Sequence, residues 1–325
     1  MKILITGASG CIGSALVKRL ISSDLKNTDV IEGPLEVYAT DIKSNPFKEE
    51  PDFVYRQLDI CSDEFYDWVS DLTPDVIIHL ASVLQISKTL DRSKAYQIDV
   101  VATDRLLSTA TDIGVSKFIV TTSGAAYGYY PENNDGPISE DRPAIGNLDY
   151  FYSAHKAEVE AILAKYRELS PEMKQVVFRP GAIIGPDFDG PVVNLFRQKF
   201  ITGLLGYEGL FNFIWSEDVV DYLIEAATTS VEGVYNIAGT GVVSLKQIAK
   251  KQKKHYLPLP PVLVQMLLGI LKPLGISQYG PEQVKFIKYR PVLDNKKILK
   301  YFKHQPRYNT ENALLAFLGQ MEKDG

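Results

Sequence analysis

Cysteine is scarce in this 325-residue chain: Cys11 and Cys61 are the two present. They are too few for a disulfide framework or a metal cluster, which fits a reducing, cytoplasmic setting. An excess of positive charge is also missing. With 35 Lys and Arg against 40 Asp and Glu and a net charge of -5, nothing calls for nucleic acid or an anionic membrane as partner. Long apolar runs are absent too. The most apolar stretch, 257–271 (LPLPPVLVQMLLGIL), is uncharged but contains three prolines and falls short of the about 20 residues a transmembrane helix needs. It is expected to form a buried helix of a smaller lobe, the functional alternatives being an apolar wall over a substrate or an interfacial anchor. The KQKKH run before it reads as solvated surface. No repeats or low-complexity tracts appear, and the chain opens directly on a core-type strand, so no signal peptide is expected. With 45% hydrophobic and 23% charged residues, the remaining expectation is a soluble globular protein of one large or two closely packed domains.

What the chain does have begins at its first residue. In MKILITGASGCIG an apolar strand feeds a turn with Gly7, Gly10 and Gly13, followed by the helix-like SALVKRL. Glycines let phosphate oxygens approach the backbone, and the free N–H groups and positive end of the helix attract the anion. Gly7, Ser9, Gly10, Cys11, Ile12 and Gly13 are therefore the expected cradle of a pyrophosphate. LEVYATD then reads as a second strand ending in Asp41, beside Ile42. A carboxylate there would accept ribose hydroxyls and repel a 2′-phosphate, favouring NAD over NADP. Asp41 lies 28 residues beyond Gly13, against the roughly 20 usual for this fingerprint, and the excess is assigned to the polar insertion SSDLKNTDVIEGPL. Lys43 could soften the discrimination.

FVYRQLDI reads as a third strand, with Asp59 placed to meet the adenine amino group and Ile60 beside it. DVIIHLASV is a fourth, ending in Leu80, Ala81 and Ser82, where small side chains let a cofactor lie across the strand end. His79 within it reads as a packed core histidine. After a helical pattern through Ile98, Val101, Leu106, Leu107 and Ala110 comes a fifth strand, KFIVTTS. Short apolar strands alternating with helices predict an α/β fold: a doubly wound parallel sheet, the Rossmann architecture, with ligands at the carboxyl ends of the strands.

Ser123 follows that fifth strand, and 29 residues later YSAHK sets Tyr152 and Lys156 four residues apart, on one face of a helix. Used as a base near neutral pH, a phenol needs a shift of roughly 3 units from its ordinary value, which an adjacent ammonium and a cationic nicotinamide could supply. Taken alone, the same spacing describes a surface tyrosine and a solvated lysine.

Together with LDI at 58–60, HLAS at 79–82, TTSGAAYG at 121–128, FRPGAIIGP at 178–186 and SEDVVDYLIEAA at 216–227, these motifs resemble the extended short-chain dehydrogenase/reductase superfamily, in its NAD-dependent epimerase/dehydratase group. The resemblance implies Tyr152 as catalytic acid/base, Lys156 as the group that lowers its pKa and holds the nicotinamide ribose, and Ser123 as donor to the reacting oxygen. It further implies that Asp99, standing where the family has Asn, and Pro180 and Ile183 lie at the cofactor. Other departures are specific. Gly124 and Ala125 replace the acidic pair of the dehydratases, which argues against dehydration. Ala182 and Phe211 replace an Asn and an Arg that epimerases use toward a nucleotide diphosphate.

The strand and helix rhythm breaks after 185. The dinucleotide-binding domain is expected over 1–185, completed by about 212–240, and a smaller substrate lobe over 186–211 and 241–325. PRYNTENALLAFL predicts a terminal helix capped by Asn309 or Thr310. The expected function is an NAD-dependent oxidoreductase acting between a secondary alcohol and its ketone. A nucleotide-sugar epimerase is the alternative, and a non-catalytic dinucleotide sensor a third reading. No metal is expected. The substrate is a small molecule, with Phe188, Phe211, Phe213, Trp215 and 257–271 as an apolar pocket if they face inward, and Arg197 and Lys199 as substitute phosphate contacts. A homodimer is expected through Ile98–Ala110 and Val159–Leu169, the pairing common in the family.

Overall fold

The computed structural model of this chain describes residues 1–22, 34–47, 52–87, 89–186, 188, 190–275 and 280–324; most of the polar insertion before Asp41, at 23–33, lies outside them. Five parallel strands are formed by the apolar runs read above, β1 Lys2–Thr6, β2 Glu36–Asp41, β3 Phe53–Gln57, β4 Val76–His79 and β5 Lys117–Thr121, and a sixth, β6 Lys174–Pro180, joins them. With the strand Gly233–Ile237 they make a seven-stranded sheet in the order 233–237, β6, β5, β4, β1, β2, β3.

Alternation along each strand divides the core into two layers. Ile3, Ile5, Val37, Ile78 and Ile119 face the helices Cys11–Ile21 and Ser216–Thr228, while Leu4, Ile77, Phe118 and Val120 face the helices Asp63–Leu72, Ala102–Asp112 and Phe151–Leu169. Burial on both faces is what makes these strands read as continuous apolar runs. The chain runs β1, β2, β3 outward, then returns to place β4 on the other side of β1. That reversal opens a crevice at the carboxyl ends of β1 and β4.

His79 is a core residue, as expected, and has partners that lie far off in sequence. Its Nδ1 is 2.7 Å from the Thr6 hydroxyl and its Nε2 is 2.9 Å from that of Thr103. Burial lowers its pKa to about 3, so the ring is neutral.

A separate apolar cluster joins Ala182, Ile184, Phe196, Phe211, Phe213, Trp215, Leu245 and Phe317. Two-stranded pairings accompany it: Phe213–Trp215 with Ala182–Ile184, Leu210–Phe211 with Val243–Ser244, and Phe200–Leu204 with His255–Leu259. The terminal helix Thr310–Asp324 packs here. Its cap is Asn309, whose Oδ1 accepts from the Asn312 N–H at 2.8 Å, while the Thr310 hydroxyl donates to the Gly239 carbonyl at 2.8 Å.

The run 257–271 departs from expectation. Its first residues complete the strand His255–Leu259 and the rest form the helix Pro261–Leu271, in which no residue is buried. Composition had implied burial, yet this helix rests on the surface beside the helix Gln283–Lys288.

Candidate active site

The glycine turn is shaped by close approach. Gly7 has φ +70, and a Cβ on it would lie 2.6 Å from the Ala81 nitrogen, while one on Gly13 would lie 2.2 Å from the Gly7 oxygen. Side chains are thus excluded where β1 and β4 meet. Gly10 begins the helix Cys11–Ile21 without a side-chain cap, which leaves the first-turn N–H groups for an anion. Cys11 is exposed at that turn. Beside it, Cys11 and Ala15 border a depression closed by Pro186, Phe188 and Ser216.

Asp41 ends β2 and is drawn back to the turn: one carboxylate oxygen accepts from the Ser9 N–H at 3.0 Å, the other from the Lys43 N–H at 3.1 Å. The Ser9 hydroxyl lies 3.0 Å from the Tyr55 hydroxyl. Ile42 is exposed beside Asp41, whereas Ile60 is buried and Asp59 accepts from the Cys61 N–H at 2.9 Å. The cradle and the strand-end carboxylate fit a dinucleotide. Pro180, buried, ends β6, and Ile183 pairs with Ile214 in the short strand beyond it.

Local packing brings Ser123, Tyr152 and Lys156 together. Ser123 caps the short 3-10 turn Gly124–Tyr127, accepting from the Ala125 N–H at 3.1 Å. The Ser153 hydroxyl donates to the Ala125 carbonyl at 2.6 Å and accepts from the Asn147 N–H at 3.0 Å. These bonds dock the first turn of the helix Phe151–Leu169 on the Ser123 turn and bring the Ser123 hydroxyl beside the Tyr152 phenol. Lys156 is 5% exposed. Its Nζ donates to the Thr121 carbonyl at 3.4 Å and lies 5.7 Å from the centre of the Tyr152 ring.

In the chain alone the phenol is not activated. Burial pushes the Tyr152 pKa above its ordinary value and Asp99 adds to the rise, against the Ser123 hydrogen bond. Burial also lowers the Lys156 pKa, opposed by the carboxylates of Asp99 and Glu160. The lysine packs against the ring, and the lowering of the phenol pKa is expected from its ammonium together with a cationic nicotinamide.

Asp99 sits in a π-helical stretch, Gln97–Val101, between the helices Arg92–Tyr96 and Ala102–Asp112, an irregularity frequent at functional sites. One of its oxygens accepts from the Ser82 hydroxyl at 2.9 Å and the Val83 N–H at 2.8 Å, and the other is 2.9 Å from His155 Nδ1. Burial alone would raise its pKa, but the His155 hydrogen bond, the Lys156 charge and these N–H and O–H donors hold it below the usual carboxylate value. The carboxylate and His155 thus form a buried pair that joins the stretch Gln97–Val101 to the Tyr–Lys helix. His155 stands inside YSAHK, yet its partner could not be read from spacing.

Behind Lys156, Glu160 accepts from Arg179 Nε at 2.8 and 3.0 Å, from Arg179 Nη2, and from the Thr122 hydroxyl at 2.7 Å. Arg179 Nη1 donates to the Tyr127 hydroxyl at 2.7 Å, which in turn donates to Asn236 at 2.8 Å. This network ties the helix to β5, β6 and the strand Gly233–Ile237.

The expected aromatic pocket is not formed. Phe211, Phe213 and Trp215 are buried in the separate apolar cluster and face neighbouring side chains instead of a cleft, while the partly buried Phe188 packs against that cluster and closes the depression beside Cys11. Arg197 and Lys199 are exposed. A cation that sequence reading missed stands nearer the site: the Arg290 guanidinium lies 4.1 Å over the Phe211 ring and makes no ion pair among the described residues. Burial lowers its pKa, offset in part by Tyr129 and Tyr150. Those two rings also hold Phe286, at 4.4 and 4.2 Å between centres, and Tyr150 lies 6.1 Å from Tyr152. The signal was Arg290 itself, in YRPVLD, but nothing in sequence joins it to residue 211.

Solved structures share this architecture. The UDP-glucose 4-epimerase of Thermotoga maritima with UDP-glucose superposes with a TM-score of 0.72 at 20% identity, over 100% of this chain and 99% of that one. The Thermus thermophilus UDP-glucose 4-epimerase with NAD gives 0.73 at 21%, over 99% of each. Among sequences, a UDP-glucose 4-epimerase of Mycolicibacterium smegmatis is 29% identical over 259 residues, 74% of this chain and 78% of that protein. The dTDP-D-glucose 4,6-dehydratase of Mus musculus is 24% identical over 264 residues, 77% of this chain and 71% of that protein. The family model for NAD dependent epimerases and dehydratases matches residues 3–238, the stretch that carries the glycine turn, Asp41 and the Ser–Tyr–Lys cluster, and the chain belongs to that enzyme family.

Proposed function

We propose that this chain is an NAD-dependent epimerase acting on a secondary hydroxyl of a nucleotide sugar. The observation that carries the reading is the convergence of Ser123, Tyr152 and Lys156 at the carboxyl end of β5, beside a crevice whose glycine turn and Asp41 suit a dinucleotide. NAD, when bound, supplies the hydride acceptor and donor and a positive charge near the phenol. Tyr152 takes the hydroxyl proton of the substrate at its phenolic oxygen and returns it, and Ser123 donates a hydrogen bond to the same substrate oxygen. Lys156, held by the Thr121 carbonyl, keeps an ammonium beside the ring. That charge favours phenolate once the crevice is filled. Asp41 accepts the ribose hydroxyls and disfavours a 2′-phosphate.

Two observations favour an epimerase over release of a ketone from a bulky apolar alcohol. The aromatics that would have lined an apolar pocket are consumed by the lobe core. Arg290 offers a cation near Tyr150 that has no ion-pair partner among the described residues, suited to a diphosphate. The absence of a carboxylate at Gly124 and Ala125 supports epimerisation over dehydration. The test is to purify the chain without added cofactor, measure bound nucleotide after denaturation, and incubate it with UDP-glucose and UDP-galactose. Retained NAD and interconversion without NADH in solution are expected. NADH accumulating in solution at the rate of alcohol oxidation would instead indicate a dehydrogenase.

A further inference from the structure

The helix Pro261–Leu271 is inverted relative to an ordinary surface helix. Val262, Leu263, Met266, Leu267 and Ile270 are 65, 44, 61, 44 and 58% exposed, and Leu274 just beyond is 64% exposed. At about 100° per residue these positions span an arc of about 140°, while Val264, Gln265, Leu268 and Leu271 are the less exposed ones. The water-facing arc is therefore wholly apolar and the one polar side chain, Gln265, lies off it. Leu205 and Leu257, 59 and 43% exposed, extend the patch onto the adjoining strands, where the Leu205 N–H bonds the Leu259 carbonyl at 2.8 Å.

The surrounding charge says what covers it. Residues 241–291 carry nine Lys or Arg and one carboxylate, Glu282, in a chain whose net charge is -5. Lys251, Lys272 and Lys285 are paired with Glu311, Glu282 and Asp149, while Lys246 and Lys250, on the helix Leu245–Lys251, and Lys253, in the turn after it, are exposed. A second copy docking here about a twofold axis would oppose two such cationic segments, an unfavourable juxtaposition. We propose that this face seats the protein on an anionic lipid surface, the apolar arc entering the acyl boundary and the lysines meeting the headgroups. The helix has 11 residues, about 16 Å at 1.5 Å per residue. That is about half the hydrocarbon thickness, so it lies along the interface. Among the described residues no helix is long and apolar enough to cross a membrane.

The test uses the full chain in co-sedimentation with vesicles of phosphatidylcholine alone or with about one third phosphatidylglycerol, at low and high salt. Binding to the anionic vesicles, weakened by salt, is expected. The double variant Met266→Glu with Ile270→Glu should bind at least about tenfold less, and Lys250→Glu with Lys253→Glu should abolish the preference for anionic vesicles. Both pairs are exposed, so an unchanged circular dichroism spectrum accompanies these results; the lysine pair tests the proposal even if the apolar pair misfolds. No binding to anionic vesicles, or binding untouched by both double variants, would overturn it. So would failure to bind lipid combined with a light-scattering mass that halves in the Met266 and Ile270 variant, which would make the face a contact between copies.

Discussion

Replacing Glu160 by Gln keeps the side chain's size and removes its charge. Glu160 is 6% exposed and Arg179 is 5% exposed, and the carboxylate accepts from both Nε and Nη2 of that arginine as well as from Thr122. Burial works against the charged form of Arg179, and the Glu160 hydrogen bonds and charge outweigh it; Gln removes that support, yet the guanidinium stays ionised because its ordinary pKa is so high. An uncompensated buried cation then remains, a change that costs about 3–5 kcal/mol. For a chain of this size the melting temperature should fall by about 6–10 °C, at about 2 °C per kcal/mol. Urea unfolding followed by circular dichroism measures the loss directly. The double variant Glu160→Met with Arg179→Met removes both charges and should recover most of it. A single-variant cost below about 1 kcal/mol, or a double variant less stable than the single one, would refute the view that this pair fastens the Lys156 helix to the sheet.

Asp41→Ala should weaken NAD binding and narrow the gap to NADP; a parent chain that already binds NADP more tightly contradicts the role given to this strand end. Asp99 makes an acid-side prediction. Its folded pKa lies below the unfolded one, so its contribution to stability is complete above about pH 4 and is lost as pH falls through the folded value. Asp99→Asn should flatten the stability profile below about pH 4, and an unchanged acid limb would contradict it. A homodimer through the helices around Ala102–Asp112 and Phe151–Leu169 is expected by light scattering. Leu106, Leu107, Ala110, Val159 and Leu163 are spent on the chain's own core, so that contact has to use outward positions such as Val101 and Leu169, 41 and 64% exposed. A monomer at micromolar concentration would remove the dimer.

The sheet was legible because strands covered on both faces leave uninterrupted apolar runs, and the turn because only glycine fits where Gly7 meets Ala81. Tyr152 and Lys156 were legible because helical geometry converts a spacing of four into a shared face. What sequence could not give were pairings across the fold. Asp99 with His155, Glu160 with Arg179 and Arg290 with Phe211 are set by tertiary packing between distant segments. Phe213 and Trp215 are apolar whether they line a cleft or fill a core, and packing against Phe196, Tyr308 and the terminal helix decided for the core. The helix Pro261–Leu271 was misread for the converse reason: an apolar run ordinarily signals burial, and this one is exposed.

The most direct test is Tyr152→Phe, with turnover of the nucleotide sugar and bound NAD measured on the same preparation. The phenylalanine keeps the ring that packs beside Tyr150 and Lys156 and loses the oxygen that handles the proton. Turnover should fall by about 10²–10⁴-fold while the NAD content matches that of the unaltered chain. Turnover within about tenfold of the parent would mean that another group moves the proton and that Tyr152 is not the acid/base.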